Sequence, residues 1–317
     1  MIDFFNRLYS FTFNRISLIE ILKVNSLSRF LIRAVSNRLI PVWLIHSHVR
    51  LKDLCIDVKN RKRIIVSLTS FPYRIPNLWM VIEALFRQTV LPDKIILYLS
   101  KKQFSNEMND LPDSLLRYTK NGLDIRFVDG DIRSHKKYYY AMRDYPNDVI
   151  ITVDDDIFYP STMIQTLMRY HEKYPKAVIC RYARSLQWTE DDKIMSSLYW
   201  KHLRETQVRG SDSFLGTGGG TLFPNPSECL YKDTLDINLA FRLCPLEDDL
   251  WLNTMIRLQE TPIIVVKDYK DILPIQRKGN ITLYSQNGGD ENLTDVQIQN
   301  VIDYYKSIGL KPYKKGC

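Results

Sequence analysis

Three successive carboxylates, Asp154, Asp155 and Asp156, close the apolar run Val149-Ile150-Ile151-Thr152-Val153. Adjacent carboxylates repel, and crowding raises the pKa of at least one of them unless a cation neutralises the group. Their oxygens are hard donors, suited to Mg²⁺ or Mn²⁺ over zinc, and such ions bind through one or two carboxylates completed by phosphate oxygens. In an extended chain residues i and i+2 share a side, so Asp154 and Asp156 are the expected metal ligands, with Asp155 opposite. The competing role for the triplet is an exposed acidic turn capping the helix after Pro160.

A second acidic group, Glu247-Asp248-Asp249, precedes Leu250-Trp251. It stands where a helix is expected to begin and where the helix dipole favours carboxylates. An acid placed there in a cleft can take the proton of an attacking hydroxyl, and plain N-terminal capping is the alternative. Between the two acidic groups lies SFLGTGGGTLFP, residues 213–224, with four glycines in five positions. Without Cβ atoms such a run lets backbone approach a ligand closely, or makes a tight turn between strands. No GK[ST] follows it and no GxGxxG is present, so a phosphate cradle is not expected. The Lys136-Lys137 pair suits a diphosphate as a point charge, or else a solvated helix face.

These groups need a scaffold, and the periodicity supplies one. Strands are expected over 63–70, 94–100, 124–131, 148–156, 177–184 and 262–268, and helices over 76–88, 134–145, 161–174, 245–260 and 294–308, the last opened by Thr294. Strands alternating with helices predict an α/β nucleotide-type fold with a mostly parallel, helix-covered sheet. In such sheets the ligand lies beyond the carboxyl ends of the strands. Thr69-Ser70, Asp129 with Asp131, and the aspartate triplet are what those ends carry, so they are expected to meet at one edge, in a solvent-filled cleft.

The 317 residues, 45% hydrophobic and 25% charged, have the composition of a globular protein and exclude disordered or collagen-like chains. Five scattered cysteines without CxxC spacing suggest neither a disulfide framework nor a zinc knuckle, and fit a reducing cytoplasmic setting. Of the net charge of +8, five units fall within residues 1–50, which carry seven Lys and Arg against Asp3 and Glu20. That segment mixes basic residues with Phe, Leu, Ile, Tyr and Trp, and its longest charge-free run, Leu39 to Val49, is about half of what a bilayer crossing needs. No secretory signal is expected. Residues 1–60 are therefore expected to form a basic amphipathic helical segment lying on an anionic cytoplasmic leaflet, or packing on the catalytic domain, or making an oligomer contact. Residues 61–317 are expected to form a single further domain, with the boundary near residue 60. Charge confined to one end, with no zinc-finger or RNP-type motif, argues against nucleic acid.

The order TSFPYR after a first strand, VDDD after a hydrophobic strand, then GTGGGTLFP and EDDLW resembles the GT-A glycosyltransferases over about residues 63–270. Within them it is most similar to bacterial family-2-type enzymes that build capsule or lipopolysaccharide O-antigen chains. The resemblance implies a Rossmann-like GT-A sheet and transfer of a sugar from a nucleotide diphosphate donor, usually a UDP-sugar, with Mn²⁺ or Mg²⁺ bridging the diphosphate and the aspartates. It implies that Thr69, Ser70, Phe71 and Arg74 hold the base and ribose, that Asp129, Asp131, Arg133, Lys136 and Lys137 contact uridine and diphosphate, and that Asp154 and Asp155 belong to the donor site. By the same resemblance the glycine loop lines the acceptor side, and Asp249 is the base of an inverting transfer, with Asp248 its rival and Glu247 third. The acceptor would be a glycan or lipid-linked saccharide at the inner face of a cell membrane. The sequence departs in one respect: many such enzymes use a late histidine as a metal ligand, whereas the last histidine here, His202, precedes EDDLW. Metal binding would then rest on aspartates, diphosphate and water. A sugar nucleotidyltransferase is the nearest competing activity, although TSFPYRIP lacks the glycine- and basic-rich loop of that group. A non-catalytic membrane- or nucleic-acid-binding protein is the other.

Overall fold

Two helices lead the chain, α1 (Ile2–Phe11) and α2 (Val24–His46). β1 (Ile64–Thr69), α3 (Ile75–Phe86, with Pro76 in its first turn), β2 (Lys94–Ser100), β3 (Leu123–Val128), α4 (Lys136–Asp144), β4 (Val149–Val153) and α5 (Met163–Lys173) follow. The second half carries β5 (Val178–Cys180), β6 (Ala183–Ser185), β7 (Lys201–His202), β8 (Gln207–Val208), β9 (Ser213–Leu215) and β10 (Gly219–Phe223). Then come α6 (Ile237–Leu243), α7 (Asp248–Leu258), β11 (Ile263–Val265) and α8 (Leu293–Ser307). These are elements of a computed structural model that describes residues 1–13, 24–47, 51, 53–54, 61–208, 212–276 and 292–315.

The eight-stranded sheet has the order β3-β2-β1-β4-β10-β5-β11-β8. β3, β2, β1 and β4 are parallel neighbours, as are β5 and β11, while β10 enters antiparallel between β4 and β5. The chain thus adopts the expected α/β architecture, a mostly parallel sheet flanked by helices with an N-terminal helical segment. β4 and β10 are buried along their whole length, which is why neither carries a charged residue or a polar-apolar alternation. Side chains still alternate between two cores. Val66, Leu68, Ile151 and Val153 face α3 and α5, whereas Ile65 and Ile150 face α4 and α7. The inner faces of α1 and α2, including Ile2, Phe5, Tyr9, Ile40 and Leu44, join the first core. Polar bonds fix them there: Asn6 donates to the Phe158 carbonyl at 3.0 Å, and Asp3 accepts the N–H and hydroxyl of Ser161 at 2.8 and 2.7 Å.

Several boundaries differ from the sequence pattern. The run 177–184 is not one strand: β5 joins the large sheet and β6 a three-stranded sheet of order β7-β6-β9. The strand expected over 124–131 ends at Val128, so Asp129 and Asp131 lie beyond it. The glycine run is half loop and half strand, since β10 starts at Gly219. Asn292 occupies the N-cap position of α8, and the Thr294 hydroxyl instead donates to Glu247 at 2.8 Å.

Candidate active site

At the carboxyl ends of β1 and β4 opens a cleft of about 1040 Å³, whose walls include Thr69, Ser70, Asp154 and Asp249. Extended geometry stops at Val153, and Asp155 and Asp156 lie in a turn. The two-residue alternation therefore stops as well, so strand geometry does not set Asp154 and Asp156 on one side, although both line the cleft. Asp154 is held by its N–H, which donates to the Gly218 carbonyl at 3.1 Å and to the Tyr159 hydroxyl at 2.7 Å, and its carboxylate accepts from Lys137 at 2.8 Å. Asp155 turns inward, where it is buried and accepts from the Ser70 hydroxyl at 2.5 Å and from the Arg74 guanidinium. The same guanidinium pairs with Asp156 at 2.8 Å. All three carboxylates line the cleft.

Lys137 is no solvated helix residue. Its backbone carbonyl accepts from Ser67 of β1 at 2.5 Å, which seats the start of α4 on the sheet, and its buried ammonium lies 2.8 Å from Asp154 and 2.9 Å from Asp248. Burial alone would lower its pKa, but Asp154, Asp248 and Asp249 together hold it well above the ordinary lysine value. Asp248 is buried and accepts from the Thr217 hydroxyl at 2.8 Å. Burial pushes its pKa upward, yet Lys137 and His135 outweigh that and keep it below the usual value. Asp249, one residue on, is half-buried, and its Oδ1 accepts the Thr217 N–H at 2.8 Å and the Thr217 hydroxyl. Its Oδ2 accepts no hydrogen bond among the described residues. Burial, and then the neighbouring Asp248 charge, push the Asp249 carboxyl up to about 7. Two adjacent aspartates are thus driven apart, one fixed as a counter-ion and the other titrating near neutrality.

The glycine run makes this possible. A Cβ at Gly218 would sit 1.7 Å from Asp154 Oδ2, so any side chain there would push the Asp154 carboxylate from its place. Gly220, at φ +92°, lies in the left-handed region that side chains avoid, where β10 shifts register against β4. Thr217, which binds both Asp248 and Asp249, escapes a reading by motif. Its signal is that it alone interrupts the glycines between Gly216 and Gly220 with a hydroxyl. Tyr159 is a second such residue, tying Asp154 to Gly218 from the helix side of the turn.

The remaining candidates divide. Thr69, Ser70, Phe71, Arg74, Asp131, Arg133 and Lys136 all line the cleft. Arg74 lies 5.4 Å from the Phe71 ring centroid, and Asp131 accepts from Lys136, from Gln103 at 2.9 Å and from the Arg133 N–H at 3.0 Å. Arg133 takes φ +50°, a conformation rare for a side-chain-bearing residue. Asp129 stays outside: its carboxylate is exposed and pairs with Lys101 at 3.2 Å. Glu247 lines the cleft and accepts from Thr294. The opposite wall comes from the small sheet and its loops, with Tyr182, Arg184, Trp200 and Phe214. His202 belongs to it too, edge-on to Tyr182 at 5.4 Å, so one histidine does reach the cleft despite its early place in the sequence.

A divalent cation fits the donor chemistry here. The linked ion pairs set four carboxylates, Asp154, Asp155, Asp156 and Asp248, against two cations, Arg74 and Lys137. Among the ion pairs of the described residues two negative charges remain in excess, and the side chains of Asp154 and Asp156 are 41% and 31% exposed. Among the described residues no group of three or more His, Cys, Asp or Glu forms a ready-made metal centre. Two carboxylates that leave the rest of the shell to phosphate and water match an ion of the Mg²⁺ kind.

No family model matches the sequence, and no curated protein matches it. Among solved structures the chain is similar to several at TM-scores below 0.5. A mannosyltransferase from Pyrobaculum calidifontis, solved with GDP-Man and Mn²⁺, is 12% identical, with 89% of this chain and 74% of that one covered at a TM-score of 0.47. S. aureus TarS 1–349 with UDP-GlcNAc is 12% identical over 78% of this chain and 73% of that one, at 0.43. A 4-diphosphocytidyl-2C-methyl-D-erythritol synthase from Anaerococcus prevotii is 15% identical over 68% of this chain and 94% of that one, at 0.44. At such identities and scores these likenesses say nothing about substrate or reaction.

Proposed function

We propose that this cleft transfers a sugar from a nucleotide diphosphate donor, a UDP-sugar, to a hydroxyl of a glycan or lipid-linked saccharide, with inversion at the anomeric carbon, as in GT-A enzymes of bacterial capsule or lipopolysaccharide synthesis. The observation that carries the reading is the Asp249 carboxylate: one oxygen is anchored by Thr217, the other accepts no bond among the described residues, and it shares a cleft with the acidic turn. The loop Thr69-Ser70-Phe71 with Arg74 flanks the base and ribose, and Asp131, Arg133 and Lys136 lie along the diphosphate. Asp154 and Asp156 would hold Mn²⁺ or Mg²⁺, which would supply positive charge to neutralise the diphosphate. Asp249 Oδ2 takes the proton of the acceptor hydroxyl as that oxygen bonds to the anomeric carbon. The bond from that carbon to the diphosphate breaks, and its electron pair leaves with the nucleoside diphosphate. Lys137, fixed between Asp154 and Asp248, keeps the acidic turn and the helix bearing Asp249 in register.

The test is a panel of nucleotide sugars with Mn²⁺ and saccharide acceptors, reading nucleoside diphosphate release and the product's anomeric configuration by NMR. Inverted product supports the reading. Pyrophosphate release from a nucleoside triphosphate and a sugar phosphate, without transfer, would replace it with sugar nucleotidyl transfer.

A further inference from the structure

The faces of α1 and α2 turned away from the core are apolar, although their opposite faces already fill it. On α1, Met1, Phe4, Leu8 and Phe11 recur every three or four residues and are exposed, Phe4 and Phe11 by 61% and 63%. On α2 the same spacing carries Leu27, Leu31, Val35, Leu39, Val42 and Ile45, all exposed. Side chains so spaced form one stripe along a helix, and the α2 stripe runs about 27 Å at 1.5 Å per residue. Single exposed apolar residues are ordinary, but stripes of this length on two packed helices mark an interaction surface.

The charges say what it meets. Arg7 and Arg38 are exposed on these helices, and α2 contains no carboxylate. Asp3, the acid of α1, spends both oxygens on Ser161. A second copy would set an arginine-bearing, carboxylate-free face against itself, with no acid from these helices to pair. No helix among the described residues is long and apolar enough to cross a membrane. An apolar stripe opposite a packed face, bordered by arginine, suits a helix lying in the plane of an anionic lipid surface.

We propose that α1 and α2 form an in-plane docking surface for an anionic lipid leaflet. The surface is tied to the acidic turn: the Ile275 N–H donates to the Asp156 carbonyl at 2.7 Å, the Gln276 N–H donates to Asn37 of α2 at 2.7 Å, and Asn37 donates to the Pro274 carbonyl at 3.1 Å. The inference does not depend on the reaction proposed above.

Vesicle flotation tests it, comparing phosphatidylcholine alone with phosphatidylcholine containing phosphatidylglycerol, for the whole protein and for the double variants Phe4→Glu/Phe11→Glu and Leu31→Glu/Leu39→Glu. All four positions are exposed, so circular dichroism should report an intact fold. The expected result is flotation favouring phosphatidylglycerol, weakened by salt, and at least tenfold poorer partition for each double variant. Ile308→Glu, an exposed apolar site outside these helices, should leave flotation unchanged. Flotation that both double variants retain, a whole protein that floats with neither vesicle, or a sedimenting dimer that the same substitutions dissociate would each overturn the proposal.

Discussion

Replacing Asp249 by Asn removes the carboxylate oxygen proposed to accept the acceptor's proton while keeping the size of the side chain. General bases contribute about 10²–10⁴-fold, which is about 2.7–5.5 kcal/mol of barrier, and turnover should fall by that factor. Donor affinity should hardly change, because among the described residues Asp249 hydrogen-bonds through its carboxylate only to Thr217. The pH profile gives an independent check. A base works in its ionised form, and burial with the Asp248 charge brings this carboxyl to about 7. Turnover should therefore climb about tenfold per pH unit below 7 and level off above it, and this acid limb should vanish in the Asn variant. Asp248→Asn should behave differently. It withdraws one of the two carboxylates bonded to Lys137, so its main effect should be on stability, about 1–3 kcal/mol, with a milder loss of turnover. Steady-state kinetics on both variants across pH, with urea unfolding alongside, decides the matter. An Asp249→Asn enzyme within a few-fold of the parent, an acid limb that survives the substitution, or a product of retained configuration would refute the base assignment.

Asp154→Asn and Asp156→Asn should each abolish Mn²⁺-dependent UDP binding in calorimetry while leaving circular dichroism unchanged, and unaltered affinity in both would remove the metal site. Gly218→Ala should imitate Asp154→Asn in the same titration, since its Cβ would displace a carboxylate oxygen now 1.7 Å from that position; an alanine variant with normal Mn²⁺-dependent binding would show that the contact is dispensable. Lys137→Gln leaves Asp154 and Asp248 without their shared cation, and urea unfolding should show a loss of about 3–5 kcal/mol. Unchanged stability would mean that the lysine does not bridge the two acidic groups.

The sequence alone determined the parts of this protein that depend on local periodicity. Runs such as 63–70, 94–100 and 148–156 announce strands buried on both faces, because only continuous apolar chain fits between two helical layers, and their order implies a crevice where the carboxylates meet. Helical periodicity likewise announces α4, but not the burial of Lys137, since an adjacent lysine pair at a helix start has the pattern of a solvated face. That lysine is buried because Asp154, from a different strand, and Asp248, from a distant helix, converge on it and compensate its charge. The roles within each acidic group were hidden likewise. Asp155 turns inward because β4 ends at Val153 and Ser70 and Arg74 wait on the neighbouring strand's loop, which no alternation rule contains. The division of labour between Asp248 and Asp249 rests on Thr217, carried into place by the glycine loop that leads into β10, the strand paired between β4 and β5. Periodicity is a property of neighbours along the chain, so sequence reveals it; a carboxylate's pKa and partners are set by whatever charge and burial reach it through space, and only the folded chain brings those within a few ångströms.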